Sequence, residues 1–453
     1  MKKALLLSAL FAGVAVAQTT EERIRQLEEQ IRLLQQEIQR LKEEQKKTEE
    51  VKQETEAIKE EIRKLRLEIA MPELELKSYS GLGPAASKAL SNPKGVSIGG
   101  YGEGLWEHYA QDKGKRKADY YRLILYLGYA FTEKLKFNSE IEFEHATTKT
   151  IDGKSPGYAA VELAMLDYNF SRAFGVRGGL LLVPVGIINE IHEPPTFPSA
   201  NRPFFERRII PSTWRENGLG IYGETDLVSY RFYLLNPMRV GGDGAPKNEE
   251  PIKQFRQNGA EALNNGLAYT GRLDFKLPYN LTVGGSFFVS DILSDGNYPL
   301  LQVKRGDKVG KVTMLSPHLW WQYAGFDVRV VGAFANVSDA KKLTQTVRAK
   351  YTTSNYVAPK SFGGYSIQVA YNILRHFYPD QELYLFGIYE NYDTHKSVPE
   401  GYLKPQGHKV RVYNFGLSYK PHPLVALKAD YVKYDPKDKK KEDIYRFAFG
   451  FMF

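Results

Sequence analysis

The densest chemistry in the chain lies in one stretch, "VGIINEIHEPPTFPSANRPFFERRIIPSTWRENG", beginning at residue 185. Four carboxylates, Glu190, Glu193, Glu206 and Glu216, are interspersed with four guanidinium groups, Arg202, Arg207, Arg208 and Arg215. Held in a confined space poor in water, such charges discriminate between passing ions, because Coulomb interactions strengthen as water is excluded. Paired with one another or with a wall, the same charges pin a loop in place, and the residue types allow either role. Pro194, Pro195, Pro198, Pro203 and Pro211 stiffen the stretch and argue against a helix or a central strand. Phe197, Phe204, Phe205, Ile209, Ile210 and Trp214 give it packing anchors that a disordered loop lacks.

Other candidate motifs are weaker. "GLGIYG" at 218–223 matches a dinucleotide-binding spacing, but that motif needs a helix after the last glycine and none is expected there. His145 and His192 stand alone, without the spacing of metal ligands. "DILSDGNY" at 291–298 lacks the ligand pattern of a calcium loop. No catalytic triad emerges from the few histidines, which fall mostly in loops and turns. No enzyme, cofactor, metal site or nucleic-acid partner is therefore expected.

The elements that must position the charged stretch follow from pattern. Lys2 and Lys3 precede the apolar run "ALLLSALFAGVAV", and Ala15-Val16-Ala17 supplies a cleavage pattern, so residues 1–17 read as a secretory signal peptide. The chain of 453 residues has no cysteine, which excludes a disulfide framework after export. Residues 18–70 read as a periplasmic coiled-coil helix. Ile24, Leu27, Ile31, Leu34, Ile38 and Leu41 step by three and four, and Val51, Thr55, Ile58, Ile62, Leu65 and Ile69 resume the seam after a phase slip. Pro72 ends the helix, and residues 71–95, rich in Gly, Pro and Ser, read as a linker.

From residue 96 to 453 the period is two. Tyr121, Leu123, Leu125, Leu127, Tyr129 and Phe131 share one face, opposite Arg122, Ile124, Tyr126 and Gly128. About sixteen segments of this kind are expected, with ambiguity near Val161 and Leu383. Short turns, such as 132–134, 171–174 and 225–227, alternate with long loops, such as 148–157, 185–217 and 236–266. That asymmetry points to an all-β transmembrane barrel of antiparallel strands, preceded by the helical segment. A charge facing lipid costs about 2–4 kcal/mol near the bilayer midplane, so the charged face must line a water-filled lumen. Arg122, Lys136, Glu140, Glu142, Glu144, Arg272, Lys276 and Arg329 are the expected lumen wall. Lys247 and Lys253, in the loop 236–266, are expected at a wide and screened mouth.

The stretches "FNSEIEFEHA", "RGGLLLVPVGIINEIHEPPTF" and "RRIIPSTWRENGLGIYG", with the terminal "FAFGFMF", resemble outer-membrane porins of the phosphate-selective porin O/P type. The resemblance covers roughly residues 95–453 and leaves the N-terminal helix uncovered. It implies a trimeric sixteen-stranded barrel in outer-membrane lipid, whose third loop folds inward to narrow the channel. It also implies that the strand ending at Phe453 is read by the outer-membrane assembly machinery. The function implied is passive diffusion of small hydrophilic solutes or ions. The net charge of +9, carried by the region after residue 70, adds a weak anion preference. The alternative is a structural tether that joins outer membrane to cell wall through the coiled coil.

Overall fold

The computed structural model describes residues 25, 27–29, 31–43, 46–47, 78–150, 153, 155–378 and 380–453. The expected signal peptide, the second half of the heptad pattern and residues 71–77 lie outside the described residues. The chain divides into two units, residues 1–68 and 69–453. In the first, residues 31–43 are helical, and Leu27, Ile31, Leu34, Ile38 and Leu41 are exposed along one seam. No helix among the described residues is long and apolar enough to cross a membrane.

The second unit is a closed ring of sixteen antiparallel strands. Its first seven are β1 (Gly95–Tyr109), β2 (Lys117–Ala130), β3 (Leu135–Glu144), β4 (Tyr158–Ser171), β5 (Phe174–Leu182), β6 (Arg215–Glu224) and β7 (Val228–Leu235). A two-residue strand, β8 (Met238–Arg239), stands outside the ring. Then follow β9 (Ala268–Leu277), β10 (Leu281–Leu293), β11 (Lys308–Tyr323), β12 (Phe326–Ser338) and β13 (Ser361–Asn372). The ring ends with β14 (Glu382–Ser397), β15 (Lys409–His422), β16 (Val425–Pro436) and β17 (Glu442–Met452). Each strand pairs with its sequence neighbour, β7 pairs with β9, and β17 pairs back with β1. Closure leaves no open sheet edge, which lipid would not tolerate.

Side-chain alternation is what makes these segments barrel strands. On β17, Phe447 is 67% exposed while its neighbour Arg446 is 2% exposed. Tyr445, Phe447, Phe449 and Phe451 face outward, and Ala448 and Met452 are buried. The amide of Phe453 donates to the Gly100 carbonyl at 2.9 Å, and the Gly100 amide donates back at 3.0 Å. Connections at 131–134, 172–173, 225–227, 278–280, 324–325, 373–381 and 423–424 lie at one end of the barrel. The other end carries 110–116, 145–157, 183–214, 236–267, 294–307, 339–360, 398–408 and 437–441.

The ambiguity near Val161 has a structural cause. Glu140 pairs with Leu163 and Ile141 with Val161, so Glu162 is the extra residue of a β-bulge. A bulge shifts the alternation by one, and both Glu162 and Leu163 end up buried.

The lumen is not simply filled with water. Two chain segments enter it. Loop 183–214 folds inward, and residues 78–91, which include the helix Pro84–Ser91, lie inside the short-turn end. Leu82, Ala85, Tyr101, Tyr126, Leu163, Trp214 and Phe288 belong to one buried apolar cluster between these segments and the wall. Part of the stretch expected as a linker is therefore packed structure, because a Gly- and Pro-rich composition also suits close packing against a wall. At the other end, a helix in loop 339–360 (Ala340–Lys350) carries buried Leu343 and Val347. In the same loop, the Tyr356 hydroxyl donates to the Pro251 carbonyl at 2.7 Å, which joins this loop to 236–267.

Candidate functional site: the lumen and its inward loop

Loop 183–214 is strapped to the wall on several sides. Gly186 has φ +75°, and its surroundings leave little room for a Cβ, with Ile210 Cδ1 2.9 Å away. Arg272 on β9 donates to the Gly186 carbonyl. Glu190 forms ion pairs with Arg231 of β7 at 2.8 Å and with Arg272 at 3.3 Å. Lys428 of β16 donates to the carbonyls of Pro194 and Ser199 at 2.6 and 3.0 Å. Arg329 of β12 donates to the Thr196 carbonyl, and Asp430 of β16 accepts from the Ala200 amide at 2.9 Å. Glu390 of β14 accepts from the amides of Phe204 and Phe205 at 3.1 and 3.2 Å.

Inside the loop, Glu206 accepts from the amides of Ile187 and Ile188 at 2.8 and 2.9 Å. Asn189 ties the two ends together, donating to the carbonyls of Val183 and Trp214 and accepting from the Trp214 amide. Pro203 and Pro211 bracket a four-residue helix, Phe205–Arg208, so the prolines limit helix in this loop without excluding it. Arg215 and Glu216, expected in the loop, open β6 instead. Arg215 pairs with Glu162 at 3.1 Å, and Glu216 accepts from the Gln257 amide and the Asn236 side chain.

The adjacent residues Arg207 and Arg208 have different surroundings. Arg208 pairs with Glu250 at 2.9 Å, and Lys253 reaches the same carboxylate at 3.2 Å. Lys253, expected at a wide and screened mouth, is instead half-buried and paired, because loop 236–267 brings it and the buried Glu250 against Arg208. Arg207 has no carboxylate within ion-pair distance among the described residues; its guanidinium lies 4.6 Å from the centre of the Phe204 ring. Burial, with Arg208 and Arg446 nearby, lowers its affinity for the proton. The Arg202 guanidinium donates to the Thr213 hydroxyl at 3.3 Å and, among the described residues, has no carboxylate within ion-pair distance, although its charge acts on nearby Glu140. Burial pushes the carboxyls of Glu193 and Glu206 above the ordinary carboxylate range.

The wall residues expected from alternation face inward. Arg122 pairs with Glu103 at 2.7 Å and with Glu142 at 3.7 Å. Arg272 binds Asp274, which also accepts from His318. Lys276 meets Glu224 and Arg329 meets Asp327. Lys136 and Glu140 are buried, and Glu144 is half-buried at the strand end. Arg177, Arg231, Glu162 and Glu390 belong to the same lining and were not singled out from sequence; the alternation of β5, β7 and β14 could have found all but Glu162.

Residues 78–91 meet the loop from the short-turn end. Arg177 donates to the Ser80 carbonyl at 3.1 Å, and Asn138 donates to that of Ala86 at 2.9 Å. Gly83 lies against the Glu193 carboxylate with no space for a Cβ. Beside this contact a cavity of about 660 Å³ opens, lined in part by Glu190, Pro198, Arg231, Arg272, Lys276 and Lys420.

One cluster departs from the expectation that no metal ligands converge. His192, Glu140 and Glu162 have ligating atoms within 4.8 Å of one another, and all three side chains are buried. They come from the loop, from β3 and from the bulge of β4, a convergence that spacing in sequence cannot show.

No protein-family model matches the chain. It is 58% identical over 386 residues to an uncharacterized protein of Aquifex aeolicus (strain VF5), covering 84% of this chain and 85% of that one. Among solved structures it is similar to OmpF of Salmonella typhi in complex with daunomycin, with TM-score 0.51 and 12% identity, covering 80% of this chain and 98% of that one. It also matches the outer membrane channel DcaP of Acinetobacter baumannii (TM-score 0.49, 14% identity, 79% and 97% covered). A third match is an anion-selective porin from Comamonas acidovorans (TM-score 0.48, 9% identity, 80% and 100% covered). At 12% identity the likeness to OmpF is one of fold: the barrel is porin-like.

Proposed function

The chain belongs to the family of the Aquifex aeolicus protein, and we propose that it forms a passive diffusion channel for small hydrophilic solutes or ions in an outer membrane. The observation that carries this reading is the charged lumen crossed by an inward loop that the wall holds at Glu190, Pro194, Thr196, Ala200 and Phe204. A barrel whose only task is to anchor has no need to fix a loop across its own interior.

Most lumen charges are paired, so selectivity rests on the few that are not. Among the described residues Arg207 has no carboxylate within ion-pair distance, which supports a weak preference for anions, phosphate among them. The heptad spacing of Leu27, Ile31, Leu34, Ile38 and Leu41 on this helix supports a coiled coil between copies of the chain, since a single such helix leaves its apolar stripe in water.

Purified full-length protein inserted into planar bilayers should give discrete conductance steps that grow with KCl concentration. The steps should be small, because two segments occupy the lumen. Bilayers with inserted, β-rich protein and no current above bare lipid would overturn the channel reading and favour the tether.

A further inference from the structure

We propose that Glu140, Glu162 and His192 bind a divalent transition-metal ion of the Zn²⁺ class, which fastens the inward loop to the barrel wall. Three observations converge. The first is the bulge in β4, which turns Glu162 into the lumen at a position where regular alternation places an outward residue. Its Oε1 accepts from Arg215 at 3.1 Å, while its Oε2 is buried with no donor.

The second is the orientation of His192. Its Nδ1 lies 3.1 Å from the Asn189 carbonyl, which can only accept, so Nδ1 carries the proton. Its Nε2 then presents its lone pair to Glu140 Oε1 at 3.1 Å. Two acceptors at that distance need a cation between them, either a proton or a metal ion. An imidazole whose far nitrogen donates to a backbone carbonyl is the usual posture of a metal-bound histidine.

The third is distance. A tetrahedral ion bonded at about 2.0–2.2 Å sets its donors about 3.3–3.6 Å apart. His192 Nε2 and Glu140 Oε1 already stand 3.1 Å apart, and all three ligating atoms lie within 4.8 Å, so closure asks for a movement of about 1 Å, within reach of a glutamate side chain. One imidazole and two carboxylates form a mixed nitrogen–oxygen set that suits Zn²⁺, with a further position left for water. Glu142 and Tyr101 flank the cluster, and Arg122, Arg202 and Arg215 supply the opposing positive charge.

The test is equilibrium dialysis of the chelator-stripped full-length protein against micromolar Zn²⁺, with bound metal measured by elemental analysis. About one ion per chain is expected. His192→Ala and Glu162→Gln should each weaken binding at least about tenfold, and Glu249→Gln, on an outer loop, should leave it unchanged. Should either variant fail to fold, Co²⁺ titration of the wild-type protein replaces it, with a visible band that Zn²⁺ displaces. Absence of stoichiometric metal, or equal binding by the folded variants, would show that a proton bridges His192 and Glu140. The channel reading is tested separately by conductance and survives that outcome.

Discussion

Replacing Arg207 by Glu reverses one lumen charge without breaking an ion pair, because no carboxylate lies within pairing distance of it among the described residues. The local charge falls by two units. For an ion passing about 8 Å away, that change is worth about 1 kcal/mol at a dielectric constant of ~80 and about 4 kcal/mol at ~20. Even the smaller figure is about a fivefold change in the ease of cation entry. The assay is the reversal potential of the full-length protein in a planar bilayer under a KCl gradient, which should move toward cations. Lys304→Glu makes the same change of charge on the exposed loop 294–307, where salt screens interactions beyond about 8 Å. It should shift the potential much less. Arg208→Glu is a poorer probe, since it also places a second carboxylate beside Glu250. Equal shifts from Arg207→Glu and Lys304→Glu, or none from Arg207→Glu, would show that the inward loop does not set the field ions meet.

Three further outcomes are expected. Glu190→Gln removes the shared partner of Arg231 and Arg272, and should lower stability by about 3 kcal/mol in denaturant titrations. Unchanged stability would mean that Asp274 alone satisfies both guanidinium groups. Gly83→Ala puts a methyl group into the Glu193 carboxylate and should expose residues 78–91 to limited proteolysis; an unchanged cleavage rate would contradict their lodging in the lumen. Because burial raises the proton affinity of Glu193 and Glu206, both are neutral at low pH and gain charge as pH rises through their elevated range. The reversal potential should therefore drift toward cations with rising pH, at values above the ~4.3 of an ordinary glutamate. The double substitution to Gln should flatten that drift.

The ring of strands was legible because lipid and lumen impose opposite demands on alternate residues. That contrast survives in Phe447 against Arg446 and in Leu273 against Asp274. The long-loop and short-turn ends were legible for the same reason, since the period of two breaks wherever the chain leaves the sheet. Glu162 was not legible, because a bulge is a one-residue defect whose signature in sequence is only a blurred alternation. The separate fates of Arg207 and Arg208 were hidden too. They depend on Glu250, which lies 42 residues away and folds over the loop from another connection. Periodicity reports which face a residue takes, and nothing in it reports which distant residue arrives opposite.

The same limit concealed residues 78–91, and their placement changes how the lumen must work. The inward loop meets this segment where the Glu193 carboxylate presses on Gly83 and Glu190 on Gly81. Glu190 is also the residue that anchors the loop to Arg231 and Arg272. Loop and segment therefore share one support. A shift of the loop large enough to free the Glu190 carboxylate removes the surface on which Gly81 rests. Glu190 and Gly81 also line the cavity of about 660 Å³, so withdrawal of the segment would open this carboxylate further to that cavity. Displacing residues 78–91, as Gly83→Ala should, is therefore expected to loosen the loop at Glu190 and Glu193 as well, read as faster proteolysis of both segments.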